Sequence, residues 1–336
     1  MGNYLKIIDA FLNGNVRGIE NFGVKPEHLE TQISHIFLFP EYVYKISKRD
    51  NIFFNEHFRD LSSLESRISF YKSDFFQNNY FSPEIYLNLY GVRVVSGEVI
   101  LNNDLDNVED AVIKMKRINL GYNLSRLLHA KLLSEEDFRY IGFQQTKEIA
   151  IYPNQPKYNK SYYDHFQKRL DDLRDWMYTA PCYLTNEETD NIINILRNYI
   201  EKEKDYFMNF DKSKYVISLD NHSDNIFYEN NKAFFLDIYP PKEDWGIAAP
   251  CINIYRPATD ILILMGEQYA RAFLQGYKDY YGSLDENHEI FYFVYSAAIQ
   301  AISLYNLSKN DPLKLGDSEI YKKYIIESIN KIKKSL

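Results

Sequence analysis

The chain has 336 residues, too many for a typical small domain and suited to two lobes or domains. An apolar share of 45% with 26% charged residues describes a globular chain and excludes a disordered one. The net charge of −8 speaks against nucleic acid as the main partner and suits a cationic or neutral one.

Two cysteines, Cys182 and Cys251, make neither a disulfide framework nor a zinc site, and the seven histidines show no metal-ligand spacing. The start, MGNYLKIIDAFL, lacks the basic region, long apolar core and small-residue cleavage site of a secretory signal. Met1-Gly2 opens like a myristoylation signal, but Lys6 stands where Ser or Thr is needed. No apolar run approaches a membrane span, so a soluble, cytoplasmic protein without a membrane partner is expected. The 30 Tyr and 22 Phe are spread over the chain rather than interleaved with a basic patch; biased codon usage explains them better than a base-stacking surface.

In chain order, residues 3–13 read as an amphipathic helix with Tyr4, Ile7, Ile8 and Phe11 on one face. Residues 30–39 and 42–48 read as strands joined through Pro40-Glu41. In YVYKIS the side chains alternate, so Val43 and Lys45 share a face. A strand lysine either solubilises an edge or buries its stem toward a function. A helix is predicted over 64–80, started by a capping box at Ser62 to Glu65 and burying Leu64, Ile68, Tyr71 and Phe75. Asp74 and Glu65 flank that stripe, and either can face a strand lysine. Strands follow over 84–90, 92–95 and 98–102, with turns at Gly91 and Ser96-Gly97. A strand over 111–118 completes a sheet of five or six strands, and residues 121–123 cross to a second lobe.

From Leu124 the pattern turns helical, with helices over 124–133, 134–150, 162–177 and 185–207. A loop with Pro240, Pro241, Pro250 and Pro257 precedes helices over 258–277, 289–307 and 317–335. The fold class is therefore α+β and bilobal, with a lobe at 1–118 built on an antiparallel sheet and one helix. The other lobe, 119–336, is mostly helical.

One stretch interrupts the helices: YVISLDNHSDNIFYENNKAFFLDIY, residues 215–239. It reads as a loop, then a hairpin turning at residues 229–232, then a carboxylate. Asp220 and Asn225 lie in the loop as D-x-x-x-x-N, and Asp237 closes the hairpin. Phosphoryl transfer needs this set: a carboxylate to orient the attacking hydroxyl, and an amide and second carboxylate to hold the Mg²⁺ on the nucleotide phosphates. Asp and Asn also favour ordinary turns, so the loop alone leaves a surface turn open.

With these residues in order, the chain resembles the aminoglycoside phosphotransferase family of kinases, in particular a bacterial branch often fused to a P-loop ATPase domain. ETQISHIFLFPEYVYKISK at 30–48 and the segment 63–87, ending Ser82-Pro83-Glu84-Ile85-Tyr86-Leu87, resemble the branch's strands and helix. AVIKMKRI at 111–118 is similar to its strand before the hinge, and SLDNHSDNIF at 218–227 to its HGDLHxxNIx loop. Tyr255 to Ile261 resembles a late helix start that makes Asp260 a support for the loop.

The resemblance implies that Lys45 contacts the nucleotide α/β-phosphates and that Asp74 pairs with it. It implies Asp220 as catalytic base, Asn225 and Asp237 as Mg²⁺ ligands, and Lys114, Met115 and Lys116 beside the adenine, mainly through backbone. ATP and Mg²⁺ are the implied cofactors, and the acceptor is a hydroxyl of a small molecule: a sugar, an aminoglycoside or an amino alcohol. The acidic segment Asp164 to Asp175, the pair Glu243-Asp244 and Trp245 suit a cationic or sugar acceptor, or are a solvated face. The sequence departs from the family at Ser218-Leu219 for His-Gly, Asp224 for Gly and Phe39-Pro40 for Thr-Gly. These departures motivate a second expectation, a nucleotide-binding pseudokinase with a regulatory role; a protein Ser/Thr kinase is a third.

Overall fold

The computed structural model describes residues 2–31, 33–309 and 312–336; Met1 of the Met1-Gly2 start and Gln32 of the first predicted strand lie outside them. The chain divides into two units, Met1–Leu120 with Phe234–Lys242, and Gly121–Ala233 with Glu243–Leu336.

The first unit is organised by strand alternation. Its sheet has seven strands: β1 (Val16–Arg17), β2 (Glu27–Glu30), β3 (Ser34–Leu38), β4 (Tyr42–Ser47), β5 (Tyr86–Val95), β6 (Glu98–Asn102) and β7 (Asp110–Lys116). They lie in the order β1-β6-β5-β7-β4-β3-β2, antiparallel except for β1 on β6. Lys45 pairs across the ladder with Ile36 and Ile113, and Tyr44 with Phe37 and Lys114. Directly paired residues share a face, so Lys45 and Tyr44 lead opposite sides of the sheet.

The Tyr44 side packs on helix α1 (Gly2–Leu12), where Tyr4, Ile7, Ile8 and Phe11 join Phe37, Tyr44, Ile46, Val92, Val99 and Val112 in one core. A short helix α2 (Ile52–His57) follows β4. The Lys45 side receives α3 (Leu64–Phe81). Its cap sits one residue later than expected: the Ser63 side chain accepts from Ser66 N at 3.1 Å. Gly91 does not turn the chain. It lies inside β5, where a Cβ would stand 2.3 Å from the Asp104 carbonyl oxygen, so only glycine lets that loop close over the strand.

Amphipathic helices build the second unit: α4 (Leu124–Ala130), α5 (Glu135–Ala150), α6 (Tyr162–Met177), α7 (Asn186–Lys202), α8 (Lys204–Met208), α9 (Pro250–Leu264), α10 (Glu267–Tyr281), α11 (Glu289–Leu307) and α12 (Leu313–Ser335). Ser134 and Thr185 close capping boxes on Asp137 and Glu188. Two short strand pairs accompany them, β8 (Val216–Ile217) with β11 (Ile247–Ala248) and β9 (Ile226–Glu229) with β10 (Lys232–Phe235).

The expected single helix over 258–277 is two. Pro250 starts α9 at a position where its missing N–H is not needed, and Gly266, with φ 106°, breaks the chain before α10. Helix α11 is long and apolar enough to cross a membrane, contrary to the sequence expectation, but 72% of its apolar window is buried inside the unit. Its Phe291, Tyr292 and Tyr295 pack around Phe166 together with Tyr162 and Phe207. Much of the aromatic excess of the chain is thus core.

Within that cluster His165 is buried, with Nδ1 3.0 Å from the Tyr158 hydroxyl. Burial, with Arg169 beside it, pushes its pKa down to about 2. Below the ordinary histidine value the unfolded chain takes up a proton that the folded chain refuses. His165 therefore contributes stability above about pH 6.5 that is lost as pH falls toward 2, at about 1.4 kcal/mol per pH unit. His165→Gln is expected to flatten the acid limb of stability measured by urea unfolding between pH 7 and 5. An unchanged slope contradicts this.

Candidate functional site

In the first unit the side chain of Lys45, delivered by β4, is buried between two carboxylates. Its Nζ lies 3.2 Å from Asp74 Oδ2 on α3 and ion-pairs with Asp237. Burial alone lowers the pKa of such an amine, but Asp237 and Asp74 outweigh it and hold it well above the lysine range. Burial raises Asp74 in turn. Glu65, the other candidate partner of Lys45, is exposed in the first turn of α3.

Asp237 is held by its backbone. It has φ 53°, in the left-handed region that Asp tolerates better than most residues. A row of buried polar groups fixes the segment around it. Ser82 Oγ accepts from Phe235 N and donates to Phe235 O, both at 3.0 Å. The Tyr86 hydroxyl accepts from Asp237 N at 2.8 Å, and Asn78 Oδ1 accepts from Ile238 N at 3.1 Å. Asn78 Nδ2 donates to Asp74 Oδ1 at 2.7 Å. Strand β4, helix α3 and residues 235–238 are therefore joined in one closed polar ring around Lys45.

In the second unit the loop after β8 carries Asp220 and Asn225. Asn225 Nδ2 donates to the Asp220 carbonyl at 2.7 Å, which turns the amide oxygen to the other side. Asp260, buried on α9, accepts from Ser223 N at 2.8 Å and from the Tyr321 hydroxyl at 2.6 Å. Asp224 is paired with Lys314 at 3.2 Å. Burial pushes its carboxyl up, but His222 and Lys314 outweigh it and leave it lowered.

Two residues that sequence reasoning missed shape this loop. Arg256 on α9 places Nη2 3.0 Å from Asp220 Oδ1. Asn253, one turn earlier, acts as a side-chain strand: Nδ2 donates to Ile217 O at 2.8 Å and Oδ1 accepts from Leu219 N at 2.9 Å. Pro257 has no N–H to give the Asn253 carbonyl four residues back. That carbonyl accepts from Asn221 Nδ2 and Gln145 Nε2 instead, both at 2.8 Å. The helix-interior proline, read from sequence as a loop signal, releases the acceptor that holds the loop. Asn253→Ala leaves buried partners at residues 217 and 219 and is expected to cost about 1–3 kcal/mol in thermal or urea unfolding. A loss below about 0.5 kcal/mol contradicts that bracing role.

No family model matches the chain, and no curated protein matches it in sequence. Solved structures do. A choline kinase from Cryptosporidium parvum Iowa II matches with TM-score 0.56 at 10% identity, over 99% of this chain and 96% of that one. An aminoglycoside phosphotransferase, APH(4)-Ia in a ternary complex with AMP-PNP and hygromycin B, matches with TM-score 0.50 at 12% identity, over 92% of this chain and 96% of that one. A glucosamine kinase in complex with glucosamine, ADP and inorganic phosphate matches with TM-score 0.52 at 8% identity, over 92% and 81%. The chain has the aminoglycoside phosphotransferase-like kinase fold.

Within this kinase fold the three residues expected beside the adenine differ in direction. Lys114 sends its side chain to the face opposite Lys45, where it pairs with Glu20 and lies 3.9 Å from the Tyr42 ring centre. Its backbone lies inside the sheet, paired with Tyr44 on β4 and Asn88 on β5. Met115 alternates back to the Lys45 face and is half-buried, while Lys116 is exposed at the strand end.

The acidic segment on α6 is largely engaged within its own unit. Asp171 pairs with Arg197 and Arg174, Asp172 accepts from the Trp245 indole at 3.0 Å, and Asp244 pairs with Lys168. The Glu243 side chain lies outside the described residues. Trp245 lies against Trp176, ring centres 6.4 Å apart, with the Arg169 guanidinium 6.0 Å from its ring. A groove of about 1000 Å³ in the first unit, lined by Lys6, Asn13, Arg17 and Phe22 among others, includes none of the predicted site residues.

Proposed function

We propose that the protein is an ATP-dependent phosphotransferase that moves the γ-phosphoryl group to a hydroxyl of a small molecule. The observation that carries this reading is the buried Lys45, held between Asp74 and Asp237 in a fold shared with kinases solved with nucleotide. A lysine buried at that cost is placed for an anion, and the nucleotide phosphates are the anion this fold takes in its neighbours.

Each unit contributes its own groups. In the first, Lys45 binds the phosphates, Asp74 orients it, and Asp237 offers a carboxylate. In the second, Asn225 offers an amide oxygen and Asp220 accepts or orients the proton of the attacking hydroxyl. A carboxylate and an amide are the hard oxygen donors that Mg²⁺ takes alongside phosphate oxygens, so the donor set fits this ion. Held by donors of this kind, Mg²⁺ would supply charge neutralisation on the phosphates. Asn253, Asp260 and the Pro257-released carbonyl hold the loop that carries Asp220, so that most of the rate gain comes from positioning and electrostatics. Choline, glucosamine and hygromycin B, named with the neighbours, suggest amino alcohols, amino sugars and aminoglycosides as first acceptors to try.

A second reading has its own observation. Arg256 occupies one oxygen of Asp220, and Ser218-Leu219 stands where the resembled family has His-Gly, so the chain instead binds nucleotide as a regulatory module. The test is transfer of labelled γ-phosphate from Mg·ATP into a pool of amino alcohols, amino sugars and aminoglycosides. Labelled product supports the enzyme; nucleotide binding without transfer or hydrolysis supports the module.

A further inference from the structure

The outer hairpin of the first unit holds a second cluster, on the sheet face opposite Lys45. His28 and Glu30 are two apart on β2 and share a side, and His35 on β3 pairs directly across from Glu30. His28 Nε2 lies 3.2 Å from His35 Nδ1, and His35 Nδ1 lies 3.9 Å from Glu30 Oε1. All three donor atoms fall within 4.8 Å of one another. Against the sequence expectation, three of the chain's metal-ligating side chains do meet. The signal was visible only to a hairpin pattern, because the ligands come from two paired strands and not from one helix or knuckle.

We propose that His28, Glu30 and His35 form a zinc site, distinct from the nucleotide site. Four donors around a tetrahedral zinc, with bonds of about 2.0–2.1 Å, stand about 3.3 Å apart. The two imidazole nitrogens already meet that spacing, and the carboxylate oxygen stands within 4.8 Å of both, close enough for a turn of the Glu30 side chain to complete the set. Two imidazoles and one carboxylate are a known zinc set that leaves the fourth position to water. The set is pre-organised. Both histidine rings stack with Phe37, at centre distances of 5.0 and 6.3 Å, on the rigid hairpin. Lys48 donates to the other Glu30 oxygen, Oε2, at 2.7 Å, and to the Thr31 carbonyl, which orients the carboxylate while leaving Oε1 directed at His35. Zinc here joins the edge strand β2 to β3.

The test uses the full chain after treatment with EDTA. Zn²⁺ is titrated against a fluorescent chelator, and Co²⁺ is added separately to read its visible absorption. One equivalent is expected, with a tetrahedral Co²⁺ band and a rise in melting temperature. His35→Ala and His28→Ala are expected to weaken binding by about 100-fold or more and to abolish both signals; Glu30→Gln weakens it less. His35→Gln keeps the ring's volume roughly in place if the alanine variant misfolds, as read by circular dichroism. Cys182→Ser and Asp237→Asn are expected to bind as the wild type does. If the wild type takes up no zinc, or the histidine variants bind as it does, the proposal is overturned, and the histidines form only a hydrogen-bonded pair.

Discussion

Asp220→Asn is expected to lower phosphate transfer by about 100- to 10,000-fold while nucleotide affinity stays within about twofold. The change removes the proton-accepting capacity of residue 220 together with the charge it sets against Arg256, and keeps the side chain's shape. The amide keeps an oxygen for Arg256 Nη2, and the backbone carbonyl of residue 220 still accepts from Asn225. The bracing by Asn253 and Asp260 reaches residues 217, 219, 221 and 223 and is untouched. Turnover of the acceptor found by the γ-phosphate screen, with a parallel nucleotide titration, measures both. Equal turnover in the two proteins places the base elsewhere. Equal silence, with nucleotide bound, favours the regulatory reading.

Lys45→Met carries the second large effect, on both stability and binding. Lys45 and Asp74 side chains are 5% and 2% exposed, so removing the amine leaves a buried carboxylate without its cation. Breaking such a pair costs about 3–5 kcal/mol, even where the pair itself adds little over apolar packing. Lys45→Met/Asp74→Leu removes both charges and is expected to recover most of that loss in the urea midpoint. Neither variant is expected to bind Mg·ATP with measurable affinity. This contrast separates a structural ion pair from a phosphate-binding one. If the double variant regains stability and nucleotide affinity together, Lys45 has no role at the phosphates.

The legible part of the site was the part written as local patterns. Alternation in Tyr42–Ser47 put Lys45 with Val43, and the D-x-x-x-x-N loop with a hairpin after it stood out by residue type. The hairpin itself turns more tightly than expected, with Asn230 and Asn231 both at positive φ, as a two-residue connection requires. Helix α3 shows where such reading fails. The apolar pattern pointed to Leu64, Ile68, Tyr71 and Phe75, yet the buried face is Arg67, Phe70, Tyr71, Asp74, Gln77, Asn78 and Phe81. Four of these are polar or charged. A hydrophobic stripe cannot reveal a face buried in order to hydrogen-bond, and this face holds Lys45, Asp110 and residues 235–238.

The proline reading failed for a related reason. In the sequence Pro250 and Pro257 read as loop signals, yet one begins α9 and the other lies inside it. Whether an interior proline is tolerated depends on what else satisfies the carbonyl it abandons. Here Asn221 and Gln145, distant in sequence, supply the donors.

By itself the sequence determined the class of the chain, the alternation and capping that place most strands and helices, and the loop and hairpin that carry the candidate carboxylates. These follow from nearest-neighbour chemistry along the backbone, which any stretch of residues expresses locally. Tertiary structure alone decided that Arg256 reaches Asp220 and that Asn253 braces the loop. It also decided that His28, Glu30 and His35 come together. Each of these is a polar contact between segments whose pairing costs desolvation and returns it only in one three-dimensional arrangement, so no local pattern records it.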